Sequence, residues 1–281
     1  MSKKTLIIQG GGFRTGFTAG VLDAFIAMNY NPFDSYVVVS GGAIAVSYFL
    51  GGQYGKCFDA MCLLAEDKDF MSYYRMFDEN GVMDVDYFKQ VAETLIPFEM
   101  EKAMQELKNK ELSVVMTNKV TGDAEYYNPN RKTWLDSIIA SCTLPFVTKG
   151  SHQFNGKEYM DGGWSDPLPI KWAVENGGTD ITIIRTSPPD LKVAQSWTDY
   201  FGTYAFRTNL KLQSCFENNH KKYNQAIDFI NSKHKNITIK QIAPDSPLMA
   251  GTYSNSADVI SKDYRYGVQK GLDFIYQLQS A

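Results

Sequence analysis

Several residue types and patterns are scarce in this chain, and each scarcity excludes a class of protein. Four cysteines occur in 281 residues, and none forms a CxxC pair or a cluster with histidine. A structural zinc site or a disulfide framework is therefore not expected, and the cysteine usage fits a reducing compartment. The four positions are Cys57, Cys62, Cys142 and Cys215.

Long apolar runs are also missing. The apolar residues 6–8 stand directly before Gln9 and three glycines, and this stretch is far shorter than the apolar core of a signal peptide. The run over residues 43–50 is much shorter than the ~20 residues that a bilayer span needs. We therefore expect a cytoplasmic protein, and any membrane contact would be peripheral, on the inner membrane surface.

Charge of one sign is nowhere concentrated. The chain has 28 basic and 31 acidic residues, for a net charge of −3, and no block of five like charges. Because nucleic-acid-binding domains carry a basic patch, we expect no nucleic-acid partner. Glycine (22) and proline (10) are near average usage, which excludes collagen-like and low-complexity classes.

Hydrophobic residues, in contrast, make up 44% of the chain and are enough to bury a large core. A length of 281 residues is compatible with one or two domains. No internal repeat or linker is found, so we expect a single domain over residues 1–281. Its core motifs would lie in about 5–190, and C-terminal helices and a strand in about 191–281.

The first 52 residues alternate between strand and helix patterns. The run at 6–9 predicts a strand before the glycine turn, and apolar residues at helical spacing predict a helix over 17–28. The β-branched run at 36–39 predicts a second, buried strand, and residues 43–50 predict a buried helix with a glycine C-cap. This order indicates an α/β fold with a mainly parallel sheet.

The rest of the chain continues in the same class. Residues 57–110 show helical periodicity and predict a helical insertion or cover. A helix is predicted over 133–140, and a long polar helical region separates the last two strands. Asn155-Gly156 predicts a tight hairpin. The further predicted strands are residues 112–116, 124–127, 151–154, 157–160, 181–184 and 237–242.

The turn after the second predicted strand places Ser40 between a buried strand and a helix that begins with small residues. This arrangement is typical of a nucleophile elbow, in which the helix N-terminus offers backbone N–H groups to developing negative charge. A serine at this position is also typical of a helix N-cap. The residue on its own leaves both interpretations open.

Two nucleotide-site interpretations of the first glycine turn fit poorly. A dinucleotide fingerprint would need glycine where Thr15 stands, and an acidic residue where Ser40 ends the second strand. A phosphate-binding P-loop would need lysine where Phe17 stands. A nucleotide-binding α/β module is therefore the alternative function.

A serine nucleophile needs preformed donors for the oxyanion that develops on the substrate. Gly10, Gly11 and Gly12 follow a strand that we expect to neighbour the strand before Ser40. Their backbone N–H groups can turn toward a reacting carbonyl. Arg14 could steady this loop or bind an anionic headgroup, and it could equally be an ordinary surface arginine.

The serine also needs a base. None of the three histidines, His152, His220 and His234, has a setting that suits a Ser-His-Asp triad. Asp161 ends the predicted hairpin and is followed by two glycines, which makes it the better candidate. By composition alone it could be a simple turn residue.

Three motifs together carry a family resemblance. Residues 10–14 (GGGFR), 40–43 (SGGA) and 161–163 (DGG) resemble, in order and approximate spacing, the three motifs of the patatin-like phospholipases. Supporting stretches lie at residues 18–22, 140–145 and 166–170. The resemblance covers about residues 5–190 well, and the chain is most similar to the bacterial, compact members of the family.

The resemblance implies a three-layer α/β/α, lysophospholipase-like hydrolase that uses a Ser-Asp dyad without histidine. The implied roles are Ser40 as nucleophile, Asp161 as base, the backbone N–H groups of Gly10, Gly11 and Gly12 as oxyanion hole, and Arg14 and Gly42 as support. The implied reaction is acyl-ester hydrolysis through an acyl-serine, of phospholipase A or lysophospholipase type, without metal or organic cofactor. The expected partner is a lipid or another acyl-ester substrate, and no oligomeric state is predicted.

Two positions depart from the family's pattern. Val38 stands two residues before Ser40, where a small residue is usual, and Thr15 stands where glycine usually ends the first motif. A wider turn or a smaller neighbour would accommodate Val38, and Thr15 could tilt the N–H groups that form the oxyanion hole. Both changes leave Ser40 and Asp161 in place, so we expect an active enzyme; a scaffold that has lost turnover is the remaining alternative.

Overall fold

A mixed β-sheet lies at the centre of the protein. The computed structural model describes residues 2–75, 78, 81–254 and 256–280. Within these residues the strands are β1 Lys3–Ile8, β2 Ser35–Val39, β3 Glu111–Asn118, β4 Ala124–Tyr127, β5 His152–Phe154, β6 Lys157–Asp161, β7 Gly178–Ile184 and β8 Thr238–Ile242. Every strand that the sequence predicts is confirmed.

Helices fill the connections between these strands. They are α1 Thr15–Ala27, α2 Gly41–Leu50, α3 Lys56–Glu66, α4 Val85–Gln90, α5 Met100–Glu106, α6 Trp134–Cys142, α7 Ile170–Glu175, α8 Trp197–Ala205, α9 Leu210–Asn231 and α10 Ala257–Gln279. Helices α3 to α5, with a π-helical turn at Val91–Leu95, confirm the predicted helical insertion. The short helix α7 was not predicted.

The strand order creates a crevice at one edge of the sheet. Strands β3, β2, β1, β7 and β8 are adjacent in this order and parallel, while β4 and β6 pair antiparallel with β3, and β5 pairs antiparallel with β6. The chain leaves β1 toward β2 and later returns to β7 on the other side of β1. Such a reversal opens a binding crevice beyond the carboxyl ends of the strands, and the glycine turn after β1 lies there.

Successive residues of the central strands face opposite layers. Leu6 and Ile8 of β1 pack into the larger core with α1, α2 and α6, whereas Ile7 packs into a second core with α7 and α9. Because both faces are covered, the parallel strands are continuous apolar runs. These layers confirm the predicted three-layer α/β/α architecture.

The C-terminal part joins the same layers. Strand β8 extends the sheet beyond β7, and helix α10 packs against α1. None of the helices in the described ranges is both long and apolar enough to cross a membrane.

Candidate active site

Ser40 occupies the sharp turn between β2 and α2. Its backbone has φ 52° and ψ −128°, a conformation that is uncommon for a residue with a side chain. The Ser40 N–H donates to Oγ of Ser141 at 2.8 Å, and the Ser141 hydroxyl donates to the Val115 carbonyl at 2.7 Å. The Ser40 side chain makes no capping hydrogen bond to α2. The N-cap interpretation of this hydroxyl is therefore wrong, and the turn has the shape of an elbow.

The glycine turn after β1 lies directly beside this elbow because β1 and β2 are paired. A Cβ on Gly10 would lie 2.8 Å from the Cβ of Ser40, so a side chain at this position would push the two turns apart. Gly12 has φ 57°, a conformation that favours glycine. Within the described residues, no hydrogen bond is donated by the N–H groups of Gly10, Gly11 or Gly12. These donors are therefore available to a ligand.

Asp161 ends β6 and makes hydrogen bonds to Gly163, Thr117 and Thr143. Its Oδ1 accepts from the Gly163 N–H at 2.8 Å, its carbonyl accepts from the Thr117 hydroxyl at 2.7 Å, and its N–H donates to the Thr143 carbonyl at 2.7 Å. The side chain is almost fully buried. Burial raises the pKa of Asp161 to about 6. Hydrogen bonds from the Ser40 hydroxyl and the Gly163 N–H lower this pKa, but their effect is smaller than that of burial.

A single pocket of about 190 Å³ brings these segments together. Ser40, Asp161 and the three glycines of the turn all line it, although 121 positions separate the serine from the aspartate. The hairpin β5–β6 makes this possible because β6 pairs with β3, the strand next to β2. The structure thus places the predicted nucleophile, base and glycine turn in one cavity at the carboxyl ends of the parallel strands.

The two predicted supporting residues have different positions. Arg14 lines the pocket, and its Nε donates to the Gly11 carbonyl at 3.1 Å. Burial lowers the pKa of the Arg14 guanidinium from its ordinary value. Gly42 lies where α2 crosses β1, and a Cβ there would be 2.7 Å from the Ile8 carbonyl oxygen. Arg14 therefore steadies the glycine turn, while Gly42 allows α2 to pack closely on the sheet.

The two departures from the family's pattern are accommodated by packing. Val38 is fully buried in the larger core, together with Ile8 of the neighbouring strand. Thr15 begins α1 with φ −57°, an ordinary helical value, and its Oγ1 lies so close to Gly41 that a Cβ on that glycine would collide with it. Thr15 thus contacts the first turn of α2. Neither residue removes Ser40 or the glycine turn from the pocket.

A second, apolar pocket of about 50 Å³ adjoins the first one. Ser40, Gly12 and Leu144 line both pockets. The other lining residues are mainly apolar and come from the turn after β1, α2, the helical insertion and α6: Phe13, Gly41, Ile44, Met61, Leu64, Phe70, Met83, Val85, Phe88 and Cys142. Ser40 therefore lies between two chambers. The first pocket, which the side chains of Gln9, Arg14, Asp161 and Asn219 line, is the polar chamber, and the second pocket is the apolar chamber.

Sequence reasoning missed several residues of the polar chamber. Gln9 lines it, and its Oε1 accepts from the Thr186 N–H at 3.1 Å and from the Ser187 hydroxyl at 3.4 Å. This orientation leaves the Gln9 amide nitrogen as a donor without a partner among the described residues. Asn219 of α9 also lines the chamber. The position of Gln9 next to the glycine turn could have identified it, whereas nothing local in the sequence marks Asn219.

The three histidines lie outside the two pockets, whereas Cys142 lies beside Ser40. His152, His220 and His234 are absent from the described residues that line the two pockets. Cys142 lies next to Ser40, and burial raises the pKa of its thiol well above the ordinary value. A thiol of this kind stays protonated and is a poor nucleophile at neutral pH.

Comparison with known proteins agrees with this architecture. A family model described as patatin-like phospholipase matches residues 6–174. The chain belongs to this family of lipid acyl hydrolases, as the motifs indicated, and this membership favours a hydrolase over the nucleotide-binding alternative. A second model, described as a domain of unknown function (DUF6363), matches residues 209–281.

Two relatives illustrate the range of similarity. The chain is 27% identical over 272 residues to the uncharacterized protein YjjU of Escherichia coli strain K12. The aligned residues cover 96% of this chain and 76% of YjjU. It is similar to the crystal structure of VipD from Legionella pneumophila with a TM-score of 0.41 and 12% identity, over 98% of this chain and 67% of VipD.

Proposed function

We propose that this protein hydrolyses lipid acyl esters through an acyl-serine formed on Ser40, with Asp161 as the base. The observation that carries the proposal is the shared pocket, in which an elbow serine with a strained backbone meets a buried carboxylate. Nucleophile, base and unpaired backbone donors within one cavity are the components that acyl transfer needs.

Proton transfer would run between Ser40 and Asp161. The Ser40 Oγ attacks the acyl carbonyl carbon while its proton passes to the Asp161 carboxylate, and the proton then leaves with the alcohol as the ester C–O bond breaks. Water then attacks the acyl-serine while one of its protons passes to the same carboxylate, and that proton moves to Ser40 Oγ as the acyl–serine C–O bond breaks and the fatty acid leaves. A pKa of about 6 makes Asp161 a stronger base than an ordinary aspartate and still leaves it ionised at neutral pH.

The glycine turn would stabilise the tetrahedral intermediate. Gly10, Gly11 and Gly12 line the pocket, and their N–H groups have no hydrogen-bond partner among the described residues. Removing a single oxyanion donor typically costs ~2.7–4 kcal/mol of transition-state stabilisation. The bond from Arg14 to the Gly11 carbonyl supports this role because it holds the loop in place.

The two chambers support a substrate with an apolar acyl chain and a polar alcohol. The acyl chain would enter the apolar pocket beneath α3 and α4, and the alcohol would face Gln9, Arg14 and Asn219. This division favours a phospholipid or a lysophospholipid, hence phospholipase A or lysophospholipase activity, because a wholly apolar ester would leave the polar chamber unpaired.

Substitution of the two site residues tests the proposal. We expect a fluorophosphonate probe to label the wild type but not Ser40→Ala, and turnover of a short-chain nitrophenyl ester to vanish in that variant. Asp161→Asn should lose about 10²–10⁴-fold, the usual contribution of a general base. The wild-type kcat/KM should fall as the pH drops below about 6, since protonated Asp161 cannot accept the proton.

Matched controls are Ser214→Ala and Asp258→Asn, which change exposed residues of α9 and α10. Both controls should keep wild-type labelling and turnover. Equal turnover in the wild type and in both site variants would contradict the dyad. A folded wild type without labelling or turnover of acyl esters would instead indicate the inactive scaffold.

A further inference from the structure

Helix α8 exposes an apolar stripe to solvent. Trp197, Tyr200, Phe201 and Tyr204 stand at positions i, i+3, i+4 and i+7, so they share one face of the helix. Their exposed fractions are 71%, 63%, 48% and 65%. A helix on the surface of a globular protein normally turns such a stripe toward the core.

The opposite face of α8 is the one that packs on the protein. Asp199 is buried, and its carboxylate accepts from the Ser196 N–H at 2.7 Å in a capping box. Gly202 is so close to α9 that a Cβ there would collide with the Phe216 ring. The small and polar residues thus face inward and the aromatic residues outward. An exposed apolar patch of this kind is typical of an interaction site.

The stripe continues into an apolar groove of about 480 Å³. Phe146 packs against Phe201 with ring centroids 4.6 Å apart, and both line the groove together with Trp197. The remaining lining residues are Tyr73, Val82, Val147 and Tyr253. Leu144 and Thr252, which are close in the chain to Phe146 and Tyr253, line the Ser40 pocket. The groove therefore lies beside the mouth of the proposed active site.

Two exposed basic residues, Arg207 and Lys211, follow the stripe in the chain. Within the described residues neither of them forms an ion pair, whereas Lys192 before the stripe pairs with Asp228 at 2.6 Å, and the Asp199 carboxylate is buried. The guanidinium of Arg207 lies 4.5 Å from the centroid of the Tyr204 ring. Exposed basic residues beside an aromatic stripe are complementary to anionic lipid headgroups.

We infer that the aromatic face of α8 docks on the surface of a bilayer that contains anionic lipids. Trp and Tyr side chains favour the boundary between headgroups and acyl chains because one end of each ring is apolar and the other is polar. Docking through this face would place the groove, and beyond it the Ser40 pocket, next to lipid esters. This route of substrate delivery rests on the proposed function, whereas the docking itself does not.

Vesicle binding tests the inference with a double substitution. We expect Trp197→Gln/Tyr200→Gln to weaken sedimentation with phosphatidylcholine–phosphatidylglycerol (1:1) vesicles at least tenfold. The matched control Leu95→Gln/Tyr276→Gln, with exposed fractions of 56% and 54% in the native residues, should bind within twofold of the wild type. Arg207→Gln should weaken binding to these vesicles about fivefold and leave binding to pure phosphatidylcholine unchanged.

Tryptophan fluorescence reports the contact directly. Trp197 is the most exposed of the four tryptophans, so its emission should shift to the blue on vesicles and be quenched by brominated lipids. The Trp197→Phe variant should lose both signals. Retention of the shift in Trp197→Phe would overturn the inference, because the protein would then approach lipid through another surface.

Two further results would also overturn it: equal vesicle binding by the double variant and its control, or a wild-type dimer in solution that the double variant dissociates. The second result would identify another copy of the chain as the occupant. An unchanged circular-dichroism spectrum and thermal unfolding transition show that the double variant is folded. Ser40→Ala should still bind vesicles, so failure of the docking inference and failure of the proposed function are distinguishable.

Discussion

Burial of the ionised Asp161 carboxylate in the folded protein costs free energy. Its pKa rises to about 6 from an ordinary value of 3.8 because water is excluded around it, and the hydrogen bonds from Ser40 and Gly163 compensate only in part. A group with a raised pKa stabilises the folded state most where it is protonated. That advantage is lost as the pH rises through the folded-state pKa.

Asp161→Asn should therefore become more stable than the wild type as the pH increases. The amide is neutral and keeps an oxygen that can accept from the Gly163 N–H. Below pH 3.8 ionisation of Asp161 should contribute little to the difference in the free energy of unfolding between the two proteins. Above about pH 6 the free energy of unfolding of the variant should exceed that of the wild type by about 3 kcal/mol, at about 1.36 kcal/mol per pKa unit. Urea unfolding of both proteins between pH 4 and pH 8 measures this difference. A gap that does not change with pH would show that Asp161 is not the titrating group.

Ser40 shows what local sequence can and cannot predict at the scale of a residue. The β-branched run before it and the glycines after it predict a tight turn, and the turn is present. Whether this serine caps the helix or faces a ligand depends on distant segments: its N–H donates to Ser141, 101 positions away, and it shares a pocket with Asp161, 121 positions away. No local pattern contains that information.

At the scale of elements, the pair formed by α1 and α10 depends on close backbone approach. Helix α1 is buried over most of its length because it lies between the sheet and α10. Gly267 of α10 lies so close to α1 that a Cβ would collide with the Phe17 carbonyl oxygen. A larger residue at this position would have to push the two helices apart.

Gly267→Ala should lower the free energy of unfolding by ~2 kcal/mol, because the strain of overpacking exceeds the ~1 kcal/mol that alanine gains in helix propensity. Gly251→Ala is the matched control, since the nearest atom to its Cβ would be Ser254 Oγ at 3.9 Å. The control should change stability by no more than ~0.5 kcal/mol. Chemical denaturation measures both. Equal effects of the two substitutions would rule out close packing as the cause.

Prediction from sequence also differs between elements. The strands and the hairpin at Asn155-Gly156 were predicted from short apolar or β-branched runs and from turn residues, and their predicted bounds lie within three residues of the observed ones. The orientation of α8 was not predictable in this way. Its apolar spacing indicates a helix with one apolar face, but only the packing of Gly202 on α9 shows that this face points outward.

At the scale of the whole molecule, the single domain predicted for residues 1–281 remains a prediction. The two family models match residues 6–174 and 209–281 separately. The second stretch nevertheless contributes β8 to the common sheet and packs α10 against α1. Shared layers of this kind favour one cooperative unit over two independent ones.

We therefore expect a single thermal transition for the full chain, with equal calorimetric and van't Hoff enthalpies. A chain that ends at residue 208 would lack β8, α9 and α10, and it should be unfolded or aggregated, since α1 would lose the helix that covers it. Scanning calorimetry and circular dichroism measure these outcomes. Two resolved transitions, or a folded and soluble fragment, would contradict the single domain.

The sequence by itself determined the alternation of strands and helices, the parallel sheet and the three glycine-rich turns, because these features depend on residues that are neighbours in the chain. Family membership followed from the same turns. Only the tertiary structure decided that Ser40 and Asp161 share a pocket, that Gln9 and Asn219 line it, and that an aromatic face remains uncovered beside it. These features arise from contacts between distant segments, and such contacts form only when the sheet and its layers of helices pack together.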